Sequence, residues 1–66
     1  MNITDQALRL PEVMKITALR RSNVYKLMAL GEFPKSFKIT ERSCAWLKSE
    51  VEEWLQQRIA KRDEVS

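Results

Sequence analysis

The stretch PEVMKITALRRSNVYKLMALG, residues 11–31, decides the fold. Pro11 suits the first turn of a helix, where its missing N–H has no intrahelical partner, so a short helix is predicted over residues 11–16. Residues 17–20 are predicted to form a turn, with Leu19 as its apolar anchor.

A second helix is predicted over residues 21–30, because its apolar residues recur at the spacing of one helical face: Val24, Leu27 and Met28. Its N-terminal cap is either Arg20 or Ser22. Gly31 follows at the position of a left-handed C-terminal cap, and Pro34 prevents the helix from continuing. Two short helices joined by a four-residue turn are typical of a helix-turn-helix.

The residues that flank this pair of helices predict short strands. An alternating stretch at residues 7–10 predicts a first strand. Residues 36–39 and 43–47 predict a hairpin with residues 40–42 at its tip. Since the tip lacks Gly and Asn, we expect a loose loop rather than a tight two-residue turn. A hairpin at this place would be the wing of a winged helix-turn-helix.

The last predicted element is a helix that opens with a capping box, Ser49 at the cap and Glu52 three residues later. Its apolar face comprises Val51, Trp54, Leu55 and Ile59. The predicted fold is therefore mainly α with a small β-hairpin. We expect one domain over residues 1–66, ordered over about residues 7–60 and frayed over residues 61–66.

Composition narrows the class of protein. A chain of 66 residues has a small core, yet 44% apolar residues are enough to fold. Cys44 is the single cysteine, so no disulfide can form, and we expect it to be a small buried hydrophobe in a reducing compartment. Residues 1–6 do not resemble an export signal, and no run reaches the ~20 apolar residues of a membrane span. A cytoplasmic protein, nucleoid-associated when bound to DNA, is expected.

Catalysis is disfavoured by what the sequence lacks. Without histidine, the commonest general base and most zinc sites are missing. A single glycine cannot supply a phosphate-binding loop. The carboxylates of Glu50, Glu52 and Glu53 fall on the first turn of a helix, where they complement its dipole. We expect no enzyme, cofactor, metal, membrane partner or small-molecule substrate.

Basic charge is concentrated in the first part of the chain. Residues 1–48 carry nine Lys/Arg against four Asp/Glu, and residues 49–66 carry three against five. The balance of +5 against −2 is expected if the first part faces a polyanion. The second helix of a helix-turn-helix lies in the major groove, and the polar side chains that it offers here are Arg20, Arg21, Ser22, Asn23, Tyr25 and Lys26.

Each of these residue types has a known way of meeting DNA. Arginine can donate two hydrogen bonds to guanine and asparagine can pair with adenine, so Arg21 and Asn23 are candidates for reading bases. Tyr25 and Lys26 are candidates for binding phosphates. The predicted wing adds further candidates for the phosphate backbone or the minor groove: Lys35, Lys38, Thr40, Arg42 and Ser43.

The aromatic residues could instead stack on single-stranded bases. Core packing is the better interpretation, because Trp54 belongs to an apolar helical face and Trp46 to a strand. Phe33 and Phe37 are also expected in the core. RNA binding is therefore a weaker alternative to double-stranded DNA binding. A protein-interaction module that presents Trp54 or Leu55 to a larger regulator is the alternative from another class, and burial of Trp54 discriminates the two.

The chain resembles the AlpA family of prophage regulators. The stretches that carry the resemblance are residues 8–14, 21–28, 31–35, 45–47 and 50–54, in this order and spacing. The similarity covers about residues 8–62. It implies a winged helix-turn-helix related to the MerR-type domain and to phage excisionases. The family usually has glycine where this chain has Ala18, a small polar cap where it has Arg20, and glycine in the wing, which here reads TERS.

The resemblance also implies a function. It indicates a regulator of an integrated prophage or genomic island that raises integrase expression or promotes excision. The implied partners are double-stranded DNA of a promoter or attachment site, further copies of the chain on that DNA, and an integrase. Mapped onto matching positions, the recognition helix contains Arg21, Ser22, Asn23, Tyr25 and Lys26, and the wing contains Lys38 and Arg42.

Overall fold

The computed structural model describes residues 5–65, with side chains for residues 5–63. Residues 1–4 and 66 lie outside the described residues. Most of the segment considered as an export signal and the end of the predicted frayed tail therefore fall outside them too.

Three helices pack with a small antiparallel sheet. The elements in chain order are β1 (Ala7–Leu8), α1 (Leu10–Thr17), α2 (Arg21–Ala29), β2 (Phe37–Thr40), β3 (Ser43–Leu47) and α3 (Lys48–Val65). In the sheet, β3 lies between β1 and β2. The predicted fold class, a winged helix-turn-helix with β2 and β3 as the wing, is confirmed.

The first helix begins one residue earlier than predicted. Leu10 belongs to α1, so the predicted strand over residues 7–10 was too long. Arg9 is the N-cap, and its backbone N–H donates to the Glu12 carboxylate at 3.0 Å. This side-chain acceptor three residues on satisfies a backbone donor at the helix start and stops the strand there.

The second helix ends as predicted, at a left-handed glycine. Gly31 has φ +73°. Its N–H donates to the Met28 carbonyl at 3.0 Å, and the N–H of Glu32 donates to the Leu27 carbonyl at 2.8 Å. This pair of bonds is a Schellman motif, which satisfies carbonyls that the helix end leaves without partners.

The wing closes more tightly than predicted. Thr40 faces Ser43 across the hairpin, so Glu41 and Arg42 form a two-residue turn and the predicted loose loop was wrong. Neither turn residue has a positive φ, so this is not one of the hairpin turns that favour Gly and Asn. The pairing register shifts by one residue between Lys38 and Thr40, a β-bulge that leaves Ile39 without a partner in β3.

The predicted capping box of the last helix was also wrong. Ser49 lies inside α3, and its N–H donates to the Asp5 carboxylate at 3.1 Å, while its hydroxyl donates to the other Asp5 oxygen. The N–H of Lys48 donates to the Gln6 carbonyl at 2.8 Å. A distant segment thus supplies the cap, which sequence spacing within the helix does not reveal.

The core is formed by one cluster of buried side chains drawn from every layer: Leu8, Val13, Val24, Phe33, Trp46 and Val51. Half-buried Leu19, Leu27, Met28 and Trp54 pack against it. The predicted apolar anchor of the turn, the face of α2 and the core positions of Phe33 and Trp46 are confirmed.

Three side chains expected in the core are exposed. Cys44 and Phe37 lie on the wing, and Phe37 is 40% exposed. Ile59 is 38% exposed and lies in the second half of α3, where residues 56–63 are all exposed. The helix continues to Val65; fraying beyond residue 60 and the single-domain assignment stay predictions.

Candidate nucleic-acid interface

The turn between α1 and α2 sets the angle of the second helix. The Thr17 hydroxyl donates to the Val13 carbonyl at 2.7 Å and accepts the N–H of Leu19 at 3.3 Å. Between them Ala18 adopts the left-handed conformation, with φ 61° and ψ 19°. Leu19 then packs against the core. The turn is therefore fixed on both sides of one strained residue.

The N-terminus of the second helix has no side-chain cap. Arg20 is the N-cap, which decides between the two caps that the sequence allows, and its side chain makes no capping hydrogen bond. No acidic residue lies in the first turn of α2. The N–H groups of this turn carry partial positive charge and suit an anion such as a phosphate.

One face of α2 is buried and the opposite face is free. Val24 is buried, and all six predicted recognition residues are exposed: Arg20, Arg21, Ser22, Asn23, Tyr25 and Lys26. Since positions four apart share a face, Ser22 and Lys26 form the outward row. Arg21 and Tyr25 lie on one side of that row, and Asn23 lies on the other.

The wing carries a second exposed set. Lys38, Thr40 and Arg42 are exposed around the tip, and the Thr40 hydroxyl accepts the N–H of Arg42 at 3.3 Å. Ser43 is half-buried in β3, and exposed Lys35 lies in the connecting segment before β2 rather than in the hairpin. The structure thus places Thr40, Arg42 and Ser43 at the tip, with Lys38 one pair further along the hairpin. Lys35 lies outside the hairpin.

The basic side chains of both sets are unpaired within residues 5–63. None of Arg20, Arg21, Lys26, Lys35, Lys38 or Arg42 takes part in a side-chain hydrogen bond or an ion pair with a described residue. The ion pair that the structure does contain, Arg62 with Asp63 at 3.2 Å, lies at the far end of α3. Within the described residues, the cations on α2 and the wing are therefore not held in ion pairs, and Glu41 is the one acid in the turn of the wing.

Two tryptophans hold the segment that joins α2 to the wing. The indole N–H of Trp46 donates to the Pro34 carbonyl at 3.1 Å, and that of Trp54 donates to the Glu32 carbonyl at 2.7 Å. Phe33 lies between Glu32 and Pro34 in sequence and is buried. Its ring packs edge to face on Trp54, with the ring centroids 4.9 Å apart.

Our sequence reasoning placed the tryptophans in the core but missed this positioning role. The sequence feature that could have predicted this role is the presence of two tryptophans together with the irregular segment 31–34, because a buried indole N–H needs a hydrogen-bond acceptor. Backbone carbonyls of an irregular segment supply acceptors of this kind.

Other kinds of site find little support in the described part of the chain. Among residues 5–65 no group of three or more His, Cys, Asp or Glu is arranged to hold a metal ion. The one resolved pKa shift there is at Asp5, whose pKa is lowered by the hydrogen bonds from the Ser49 hydroxyl and N–H. Within the same residues, no helix combines the length and the apolar character needed to cross a membrane.

Comparison with known proteins identifies the family. The chain is 45% identical over 58 residues to the uncharacterized protein ORF88 of Enterobacteria phage P4, a match that covers 88% of this chain and 66% of that protein, slightly under two thirds of its length. It is 33% identical over 57 residues to the DNA-binding transcriptional activator AlpA of Escherichia coli K12, covering 77% of this chain and 81% of that protein. The family described as prophage CP4-57 regulatory protein (AlpA) matches residues 6–59, which include both helices of the helix-turn-helix, the wing and the first turns of α3. The chain therefore belongs to the AlpA family of prophage regulatory proteins.

Proposed function

We propose that this protein binds double-stranded DNA sequence-specifically, with α2 in the major groove and the wing against the flanking backbone. The observation that carries the proposal is the exposed basic surface on α2 and the wing, whose cations have no acidic partner in residues 5–63. A membership in a family of prophage regulators supports it, as does the relative that is described as a DNA-binding transcriptional activator.

Roles within α2 follow from position and chemistry. Arg21 and Asn23 lie in the first turn, the part of a recognition helix that meets base edges, and both can form paired hydrogen bonds with a base. Lys26, one turn further on, is assigned to a phosphate, as is the hydroxyl of Tyr25. The uncapped start of α2 is available to a phosphate as well.

The wing supplies the second contact. Lys38 and Arg42 provide positive charge at the tip, and Thr40 adds a hydroxyl. The Trp46 and Trp54 indoles hold the connecting segment, so we expect α2 and the wing to be presented to DNA as one preorganised surface. Such preorganisation lowers the entropy lost on binding.

Tight binding requires more than one copy. A single DNA-binding module buries only about 600–1,000 Å² of protein surface, and affinity rises steeply when several modules bind adjacent sites. We propose that copies occupy neighbouring sites in a promoter or attachment region of the prophage or genomic island. Regulation of integrase expression, or of excision with an integrase as partner, is the outcome that we propose for this binding.

Selection from a library of random duplexes tests the proposal. The proposal expects a defined sequence to be enriched by the unchanged protein and not by an Arg21→Ala, Asn23→Ala double variant. Enrichment of no sequence at low salt would overturn it. A variant with Lys61→Ala and Arg62→Ala on α3 serves as the matched control for loss of two polar side chains, and it should enrich the same sequence.

The alternative, an interaction module that presents Trp54 to a protein partner, is less well supported. Trp54 is half-buried, its N–H is engaged by Glu32, its ring packs on Phe33, and the Arg58 guanidinium lies 4.8 Å from the ring centroid. A side chain with these contacts is committed to the fold.

A further inference from the structure

Ile39 stands out as an apolar side chain exposed on the wing. It is 50% exposed, and every residue of β2 is exposed. The β-bulge leaves it without a residue opposite, because Lys38 faces Cys44 and Thr40 already faces Ser43. The strand therefore offers Ile39 no cross-strand neighbour to pack against.

The surroundings of Ile39 are polar, with two cations and one acid. Lys38 and Thr40 flank it in sequence, and Glu41 and Arg42 form the turn that follows, all of them exposed. Neither cation is paired with a described acid. An apolar side chain among free cations fits the minor groove of DNA, where the cations meet phosphates and the apolar group meets the edges of the stacked bases.

The position of the wing is fixed relative to α2. Trp46 and Trp54 hold the carbonyls of Pro34 and Glu32, which lie between the end of α2 and the start of β2. The bulge and the hydrogen bond from Arg42 N–H to the Thr40 hydroxyl hold the tip itself. These bonds place Ile39 at a defined position relative to α2, so one base step beside the site of α2 would receive it.

We propose that Ile39 is a wedge that enters the minor groove beside the site of α2, partly unstacks a base step and bends the duplex. This inference rests on the proposed DNA binding. Beyond that proposal, it states that the bound duplex is bent and that Ile39 causes the bend. Isoleucine is among the residues that act in this way, and the kinks that such wedges produce are roughly 20–90°. It also predicts indirect readout at the wedge step, since pyrimidine–purine steps unstack most easily.

Bending is measured by energy transfer between dyes at the two ends of a short duplex that carries the selected sequence. Ile39→Thr keeps a β-branched side chain, and with it the strand preference, but removes the apolar tip. Ile39→Leu keeps the apolar bulk. Ile59→Thr is the matched control, because Ile59 is 38% exposed on α3, away from the wing. We expect a bend of at least about 20° with the unchanged protein, Ile39→Leu and Ile59→Thr, and its loss with Ile39→Thr.

A second measurement separates a wedge from a simple loss of contact. A mismatched base pair at the wedge step unstacks more easily, so the unchanged protein should bind the mismatched duplex about fivefold to tenfold more tightly than the intact one. Ile39→Thr should bind both equally. An equal bend with Ile39→Thr, or equal preference for the mismatch, would overturn the wedge while leaving DNA binding intact. Failure of the unchanged protein to bind any duplex would refute the proposed function, and the wedge with it.

Discussion

The indole N–H of Trp54 donates to the backbone carbonyl of Glu32 at 2.7 Å and so ties α3 to the segment that follows α2. Together with the bond from Trp46 to Pro34, it fixes where the wing leaves the body of the protein. The relation matters for function because these bonds position the wing. Neither tryptophan belongs to the proposed DNA-facing set. Both would affect DNA binding through geometry alone.

Trp54→Phe tests this relation. Phenylalanine keeps a ring beside Phe33 but removes the donor, so we expect a loss of about 1 kcal/mol in the free energy of unfolding, the net value of one hydrogen bond. We also expect weaker DNA binding, although no DNA-facing side chain has changed. Urea unfolding followed by the fluorescence of Trp46 gives the first quantity, and a binding titration gives the second. Unchanged values of both would contradict the role of Trp54 as a positioning residue.

Ala18→Gly should stabilise the protein. Ala18 has φ 61°, and a left-handed conformation costs a residue with a Cβ about 1–2 kcal/mol. Glycine avoids this cost but loses more conformational entropy on folding than alanine, which offsets part of the gain. The net gain should be about 0.5–1 kcal/mol, or a rise of several degrees in Tm. Thermal unfolding measures it. The matched control Ala60→Gly, in the exposed part of α3, should lose about 1 kcal/mol. A lower Tm for Ala18→Gly would show that the turn is not strained.

Acid should weaken the cap that Asp5 provides to α3. The hydrogen bonds from the Ser49 hydroxyl and N–H lower the pKa of Asp5 below its ordinary value of 3.8. The Asp5 carboxylate therefore binds a proton more readily in the unfolded chain than in the folded protein. The stabilisation is present above pH 3.8 and is lost as the pH falls through the lowered folded-state pKa.

Asp5→Asn removes this titration, and its effect can be isolated. We expect the variant to be less stable than the unchanged protein at neutral pH. The difference between their free energies of unfolding, here called the gap, should narrow as the pH falls below the ordinary pKa of an aspartate. Thermal unfolding across the acid range gives the gap. In a Ser49→Ala background the difference in stability that Asp5→Asn causes should be smaller at neutral pH, since one of the bonds that favour the charged carboxylate is absent. A gap that does not depend on pH would exclude the cap as its cause.

Arg21 and Lys38 should fail in different ways when each is replaced by alanine. A base-reading arginine should cost about 1–3 kcal/mol of binding free energy and relax specificity at one position of the site. A lysine that neutralises a phosphate should weaken binding to all sequences alike and reduce the salt slope by about 1. Binding titrations against single-base variants of the site, at several salt concentrations, separate the two. An equal loss on every sequence for Arg21→Ala would contradict its assignment.

Local patterns predicted the parts of the fold that local interactions determine. Gly31, at the end of an apolar helical face, was sufficient to predict the left-handed cap of α2, because that conformation depends on a few adjacent residues. The exposure of Tyr25 and Lys26 followed in the same way from the helical period that buries Val24.

What the sequence did not reveal depends on contacts between distant residues. The cap of α3 comes from Asp5, which is 44 positions from Ser49, so the spacing of Ser49 and Glu52 predicted the wrong cap. The tight turn at Glu41 and Arg42 occurs together with a one-residue shift in the pairing of β2 with β3, which no residue of the turn itself signals. The left-handed Ala18 goes against the preference of alanine, and the turn around it is held by the packing of Leu19 in the core together with the local hydrogen bonds of Thr17.

The most direct test of the central claim is a competition between the selected duplex and a shuffled duplex of the same composition, measured over a range of salt concentrations. If α2 reads bases, the selected duplex should be preferred by about a thousandfold or more, and the preference should persist while both affinities fall with salt. Equal affinities with the same salt slope would mean that only the basic charge binds DNA, and would contradict recognition by α2.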